Sequence, residues 1–185
     1  MLFKKPDGKS KTRKKCRFNT SAEESVLKNG TICKRKNYSF VKIEEADLNI
    51  LYEISTAWIE TFKSKEKYKD LKLLGICLCQ GSAQHFMDEG TGRGLNDFDI
   101  WLFFEKQKDV PDFPVRLVYT EFFPNDKFGF SVNCVNKPGR RIDIMGRSIT
   151  GSIENWVTKN KNKSAKELRK SRVILLNEDG YEIVI

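Results

Sequence analysis

The sequence predicts an α/β domain of the α+β type, in which a mixed, largely antiparallel sheet is flanked by helices. An amphipathic helix pattern comes early in the chain, apolar strand candidates separated by turn residues follow it, and further helix signals come near the C-terminus. This order is typical of a layered domain that combines helices with a sheet. A chain of 185 residues is long enough for one domain with a hydrophobic core.

Hydrophobic periodicity places the first elements. Apolar residues recur every three or four positions from about residue 44 to residue 63, which predicts one helix with an apolar face formed by Leu48, Leu51, Ile54, Trp58 and Phe62. A strand is predicted over residues 69–80. Residues 82–88 favour a short helix, and a glycine-rich loop follows.

The second half of the chain predicts more strands and then helices. Turn residues separate the next strand candidates, which are residues 97–104, 115–122, 129–135 and 140–145. Residues 152–159 predict a helix that carries Trp156. Residues 164–176 predict another, with Ser164 as N-cap and Glu167 at N3 in a capping box.

The net charge of +9 is concentrated in two segments of the chain. Residues 1–18 are basic and almost free of apolar side chains, which predicts a disordered arm. Residues 159–172 hold seven Lys or Arg and one Glu. Basic segments of this kind attract phosphate backbones, and solvated surface charge is an equal alternative. Residues 19–185 are expected to form a single domain with its core at about 45–176.

Composition argues against several protein classes. The longest apolar runs, such as residues 73–79, are far shorter than the ~20 residues of a membrane-spanning helix. No apolar segment of a secretory signal follows the basic N-terminal residues. The five cysteines lack CxxC spacing, and Cys77 and Cys79 suit apolar positions in a strand. We therefore expect a cytoplasmic protein with no membrane partner.

Three aspartates are candidates for a metal site. Side chains alternate along a strand, so Asp97 and Asp99 point to the same side of theirs. Asp143 stands between Ile142 and Ile144 in a later strand, where an isolated carboxylate is unusual. Adjacent carboxylates repel unless a cation separates them, and Mg²⁺ prefers such oxygen ligands. The three together predict a site for two metal ions that acts on a phosphorus atom.

Gly81 and Ser82 are candidates for holding a phosphate. They lie where a strand gives way to a helix, and free N–H groups at a helix N-terminus favour an anion. Glycine allows the backbone to approach a phosphate closely, and the serine hydroxyl can donate a hydrogen bond.

The arrangement of Gly81-Ser82, the segment Asp97-Phe98-Asp99 and the later Asp143 resembles the signature of the polymerase-beta-like nucleotidyltransferase superfamily. The resemblance covers roughly residues 45–176 and implies the nucleotidyltransferase fold of a small single-domain member. It implies that Ser82 and the neighbouring backbone hold the triphosphate of an NTP. It also implies that the three aspartates bind two Mg²⁺ or Mn²⁺ ions and that Asp143 helps to deprotonate the attacking hydroxyl.

Three further side chains are weighed beside these. Arg141 shares the side of Asp143 and is a candidate for binding the triphosphate or for a structural ion pair. Arg93 is a candidate phosphate ligand, although a solvated loop arginine is favoured. The single histidine, His85, is a candidate phosphate donor or a surface residue. Residues 90–94 precede a strand rather than opening a helix, so they do not fit a dinucleotide-binding loop.

The function expected from the resemblance is transfer of a nucleoside monophosphate from an NTP to a hydroxyl. The basic segments favour RNA, such as a tRNA end, over a protein side chain as the acceptor. The alternative is a catalytically silent nucleotidyltransferase-fold module that binds nucleic acid or a protein partner. A nuclease that uses the same carboxylates on water is a third option, but it would not need a triphosphate cradle.

Overall fold

A computed structural model describes residues 38–114, 118–130 and 137–185 of the chain. The basic arm predicted at residues 1–18 lies outside the described residues, as do residues 131–135 of one strand candidate. All structural statements below refer to the described residues.

Four α-helices and six strands form the described domain. The helices are α1 (Glu45–Lys63), α2 (Gln80–Met87), α3 (Ile153–Lys159) and α4 (Lys163–Arg169). The strands are β1 (Leu73–Cys79), β2 (Phe98–Glu105), β3 (Val118–Phe122), β4 (Arg141–Ile149), β5 (Arg172–Asn177) and β6 (Gly180–Ile183). A short 3₁₀ helix, Glu66–Tyr68, follows α1.

The six strands form one sheet in the order β3-β4-β2-β1-β5-β6. The central pair, β2 and β4, is parallel, and every other neighbouring pair is antiparallel. The predicted fold class, a mixed and largely antiparallel sheet with flanking helices, is confirmed.

Hydrophobic cores cover both faces of the sheet. Because side chains alternate along a strand, Ile100, Leu102 and Phe104 of β2 join the core formed with α1, whereas Trp101 and Phe103 join the core formed with α3 and α4. Burial on both faces explains the continuous apolar run after Asp99, since a central strand has no solvent-facing side.

The cysteines of β1 occupy apolar positions, as their sequence context predicted. Cys77 and Cys79 are fully buried free thiols in the core under α3 and α4. Burial raises the pKa of both thiols above their ordinary value. They therefore act as small apolar residues.

The helix predicted over residues 164–176 is present only as far as residue 169, and its predicted N-cap and its second half were wrong. Helix α4 ends at Arg169, and its N-cap is Asn162, whose side chain accepts a hydrogen bond from the Ala165 N–H at 2.8 Å. The apolar run that follows is strand β5, which pairs with β1. Val173 and Ile174 are completely buried there, on opposite faces of the sheet. Pairing with a distant strand overrides the local helix pattern.

No helix in the described part of the chain combines the length and the apolar character that a membrane span requires.

Candidate active site

The parallel pairing of β2 with β4 brings the three predicted aspartates together. Asp99 is the register partner of Asp143, and Asp97 lies just before β2. Arg141 joins the group, because its Nη2 lies 2.8 Å from Oδ2 of Asp97 and 2.8 Å from Oδ2 of Asp143. Three carboxylates and one guanidinium therefore share one side of the sheet.

Of the three aspartates, Asp99 has the negative charge that is least compensated by a neighbouring positive charge. Its Oδ1 is 3.4 Å from Nε2 of Gln80, and it forms no ion pair with another described residue. Burial, together with the charges of Asp97 and Asp143, raises the pKa of Asp99 to about 7, although Arg141 acts in the opposite direction. At neutral pH this carboxyl group is divided between its neutral and charged forms.

Asp143 is also held from the edge of the sheet. Thr120 of β3 is its register partner on that side, and the Thr120 hydroxyl donates a hydrogen bond to Oδ1 of Asp143 at 3.0 Å. The two oxygens of Asp143 thus have different partners, Thr120 on one and Arg141 on the other. This fixes the orientation of the carboxylate.

The turn from β1 into α2 lies beside Asp99. Gln80 adopts a φ of +55°, a left-handed conformation that costs a non-glycine residue on the order of 1–3 kcal/mol. No side chain among the described residues caps the N-terminus of α2. At Gly81, an added Cβ would meet nothing within 4 Å. The start of α2 is therefore sterically open at Gly81, and uncapped N–H groups at a helix start suit an anion.

Ser82 has a structural role at the same turn. Its side chain is fully buried, and its hydroxyl donates to the carbonyl oxygen of Cys79 at 2.8 Å. The same oxygen accepts the N–H of Asp99 at 3.0 Å. Because the single hydroxyl proton is used within the fold, the backbone of α2 is better placed than this side chain to bind a phosphate.

His85 and Arg93 lie apart from the carboxylate group. His85 is buried, and its Nε2 lies 2.8 Å from the carbonyl oxygen of Val41. With Nε2 protonated, it donates to that carbonyl. Arg93 is exposed and makes no hydrogen bond or ion pair with any described residue. Neither side chain forms a hydrogen bond or an ion pair with the three aspartates.

The glycine-rich loop between α2 and β2 packs against the segment before α1. Ser39 and Leu95 exchange two backbone hydrogen bonds of 2.8 and 2.7 Å. A Cβ on Gly90, which has a φ of +77°, would lie 2.6 Å from the carbonyl oxygen of Phe40. Close backbone approach therefore explains a glycine at this position without a ligand.

The donor set is chemically suited to a hard divalent cation. Carboxylate oxygens are the ligands that Mg²⁺ prefers, and three carboxylates are contributed here by Asp97, Asp99 and Asp143. As the side chains stand, no group of three or more His, Cys, Asp or Glu residues in the described part of the chain is arranged to hold a metal ion. The Arg141 guanidinium lies between Asp97 and Asp143, so an ion bridging those two would have to displace it.

Sequence reasoning missed two residues of this site. Gln80 and Thr120 both contact a carboxylate, but neither belongs to a motif or interrupts an apolar pattern. The only available signal was the position of Gln80 directly before Gly81-Ser82.

Comparisons of the chain with protein-family models, with curated proteins and with solved structures find no significant match. The resemblance to nucleotidyltransferases therefore rests on the residue pattern of the chain.

Proposed function

We propose that the chain is a metal-dependent nucleotidyltransferase of the polymerase-beta-like type. It would move a nucleoside monophosphate from an NTP to a hydroxyl acceptor, with RNA, such as a tRNA end, favoured over a protein side chain. One observation carries the proposal. Three carboxylates from β2 and β4 meet on one side of the sheet, next to the uncapped and sterically open start of α2.

Two Mg²⁺ or Mn²⁺ ions held by Asp97, Asp99 and Asp143 would neutralise charge on the triphosphate and activate the attacking hydroxyl. The backbone N–H groups of Gly81 and Ser82 bind the phosphates, and Arg141 turns from the carboxylates to the triphosphate.

The proposed reaction is an in-line displacement at the α-phosphorus. The acceptor oxygen forms a bond to that phosphorus while the bond to the β-phosphate oxygen breaks, and pyrophosphate leaves. Asp143 accepts the proton of the acceptor hydroxyl.

The choice of RNA as acceptor depends on the basic segment at residues 159–172. The exposed side chains of Lys163 and Lys166 in α4, and of Lys170 at its C-cap, follow each other at steps of three and four, which places them on one side of the helix. Such a row fits the repeated charge of a phosphate backbone better than a neutral protein surface.

Label transfer tests this proposal. The protein is incubated with each α-³²P-labelled NTP, Mg²⁺, total cell RNA and total cell protein, beside the Asp97→Asn/Asp99→Asn variant and Asp126→Asn. Asp126 is an exposed carboxylate whose side chain has no partner among the described residues, so its variant is the matched control. Transfer by the native protein and the control, but not by the double variant, supports the enzyme. Loss of RNA without any NTP requirement would instead identify a nuclease.

A second candidate function is the catalytically silent module that binds nucleic acid or a protein. The two ion pairs of Arg141 favour it, because a guanidinium between Asp97 and Asp143 compensates the charge of both carboxylates without a metal. Absence of label transfer to every acceptor, together with equal RNA binding by the native protein and the Asp97→Asn/Asp99→Asn variant, would support this candidate and reject the transferase.

A further inference from the structure

Arg147 lies on the same side of the sheet as the carboxylates, further along β4. It lies four positions after Asp143, so the two side chains project from one side, about 13 Å apart along the strand. Its guanidinium carbon lies 4.9 Å from the ring centroid of Trp156 and 5.6 Å from that of Trp101. The two indole rings hold the guanidinium in position.

The charge of Arg147 lacks an acidic partner within the described part of the chain. Its one hydrogen bond there runs from Nη2 to Oγ of Ser164, at 3.2 Å. Its Nε is buried and has no hydrogen-bond partner among the described residues, and the same holds for Nε1 of Trp101, a residue only 7% exposed. Two donors in one cluster are therefore unsatisfied, and an unpaired buried polar group is costly.

The indole rings compensate only part of this cost. Burial lowers the pKa of Arg147, with no carboxylate acting in the other direction. Cation–π contacts are individually weak, whereas charge-assisted hydrogen bonds from an arginine to a phosphate are strong and can be bidentate. An anion beside the Arg147 guanidinium would compensate its positive charge.

The surface next to Arg147 carries further positive charge, from lysines of α4. Ser164 lies in the first turn of α4, where Lys163 and Lys166 are exposed and pair with no carboxylate among the described residues. Lys170, one turn further, pairs with Glu167 at 3.0 Å. The positive charge of the partly buried Arg147 is thus continued on the surface by Lys163 and Lys166, which flank Ser164 in α4.

We propose that Arg147, Ser164, Lys163 and Lys166 bind backbone phosphates of the acceptor RNA strand, at a site separate from the start of α2. We call these four residues the Arg147 site. A row of cations spread over a strand and a helix suits a polyanion with repeated phosphates, whereas an NTP has one compact triphosphate, which the start of α2 would take. The assignment of RNA rests on the proposed function, because that function makes RNA the acceptor.

RNA affinity measured at several salt concentrations tests the Arg147 site. The probe is a fluorescent single-stranded RNA of about 12 nucleotides with a blocked 3′ end. The variants are Arg147→Met, which keeps a long side chain over the indole rings, Ser164→Ala, and Lys163→Gln/Lys166→Gln. Lys108→Gln is the control, since Lys108 is an exposed lysine without a partner among the described residues.

Arg147→Met and the double lysine variant are expected to weaken RNA binding about tenfold each. The slope of log affinity against log salt should fall by about one for each charge removed. Ser164→Ala should weaken binding about twofold to threefold, and Lys108→Gln should stay within about twofold of the native protein. The affinity for NTP should not change in any of them.

Unchanged RNA affinity in a folded Arg147→Met protein would overturn the Arg147 site, as would a loss of NTP affinity instead of RNA affinity. Folding is checked by thermal unfolding and by near-ultraviolet circular dichroism of the tryptophans. If Arg147→Met does not fold, unchanged RNA affinity in the surface variant Lys163→Gln/Lys166→Gln overturns the site equally.

The proposal of the Arg147 site and the proposal of transferase activity can be rejected by different results. Weaker RNA binding by Arg147→Met in a protein that transfers no label would support the site and reject the transferase. Label transfer to RNA, with all variants binding RNA like the native protein, would reject the site and support the transferase. The Asp97→Asn/Asp99→Asn variant should bind the RNA probe at least as well as the native protein.

Discussion

Asp99 lies directly opposite Asp143 across the parallel pair of β2 and β4, and both carboxylates project from the same side of the sheet. Like charges on neighbouring strands destabilise a sheet. Arg141 compensates Asp97 and Asp143 through its ion pairs, but it does not pair with Asp99. The fold therefore carries an electrostatic cost at this position, and a bound cation would relieve it.

The first prediction concerns the dependence of stability on pH. Folding raises the pKa of Asp99 from 3.8 to about 7, so between these values the folded state holds a proton that the unfolded chain has released. The contribution of Asp99 to stability is therefore greatest at low pH, falls as pH rises from about 4 to 7, and is level above that. The fall should be on the order of 2–4 kcal/mol.

Denaturant unfolding at pH 5 and pH 8, without divalent ions, measures this effect. Asp99→Asn removes the titrating group, so its stability should decrease less between the two pH values than that of the native protein. Asp126→Asn, which changes an exposed carboxylate, should keep the native dependence. Identical pH profiles for the native protein and Asp99→Asn would contradict the prediction.

The second prediction concerns competition between Arg141 and a divalent cation. Arg141→Gln removes the ion pairs to Asp97 and Asp143, both at 2.8 Å, and should destabilise the protein by about 1–3 kcal/mol. The same change leaves the carboxylates free for Mg²⁺ or Mn²⁺. Metal should therefore raise the melting temperature of Arg141→Gln more than that of the native protein.

Thermal unfolding with increasing Mg²⁺ and Mn²⁺ checks the second prediction. Lys106→Gln is the matched control, because it breaks an exposed ion pair with Asp112 instead. Its response to metal should equal the native response. If neither the native protein nor Arg141→Gln responds to either metal, the competition does not exist and the silent module is favoured.

The third prediction separates the structural role of Ser82 from that of an ordinary buried serine. Ser82→Ala leaves the N–H of Asp99 without the oxygen that accepts it at 3.0 Å, which should cost about 1–3 kcal/mol. Ser55 is equally buried, but its hydroxyl only donates to the carbonyl of Leu51 within α1. Ser55→Ala should therefore change stability by less than about 1 kcal/mol.

Denaturant unfolding gives the two free energies, and amide hydrogen exchange of Asp99 gives a second readout. Exchange at Asp99 should become faster in Ser82→Ala and stay unchanged in Ser55→Ala. Equal destabilisation by the two substitutions, with no change in exchange, would show that the Ser82 bridge between α2 and β2 is unimportant.

Much of the candidate site was predictable because strand geometry is local. The alternation of side chains predicted that Asp97 and Asp99 share a side, and the apolar neighbours of Asp143 marked its position as unusual for a carboxylate. The amphipathic pattern of α1 was equally clear, since its apolar residues recur over five turns.

Other features depend on contacts that the sequence does not display. The parallel pairing of β4 with β2 places Asp143 beside Asp99, yet it is decided by packing between segments about 40 residues apart. Strand β5 was mistaken for helix because its short apolar run directly continues the pattern of α4. Likewise, the hydrogen bond from Thr120 to Asp143 arises only once β3 has paired with β4.

The last prediction uses Gly81 to separate a requirement of the fold from a requirement of a ligand. An added Cβ at this position meets nothing within 4 Å, and its φ is not in the left-handed region. Alanine is also the better helix former, so Gly81→Ala should leave stability unchanged or raise it by up to about 1 kcal/mol. A triphosphate held by the first turn of α2 needs close approach to that backbone, and the new methyl group would obstruct it. NTP affinity and label transfer should therefore fall by about tenfold or more in a protein that is fully folded.

Gly151→Ala is not a suitable comparison, because Gly151 has a φ of +79°. Ala substitution at exposed Gln84, one turn further along α2, is the matched control and should keep native NTP affinity. Native NTP affinity and transfer in Gly81→Ala would place the triphosphate away from the start of α2.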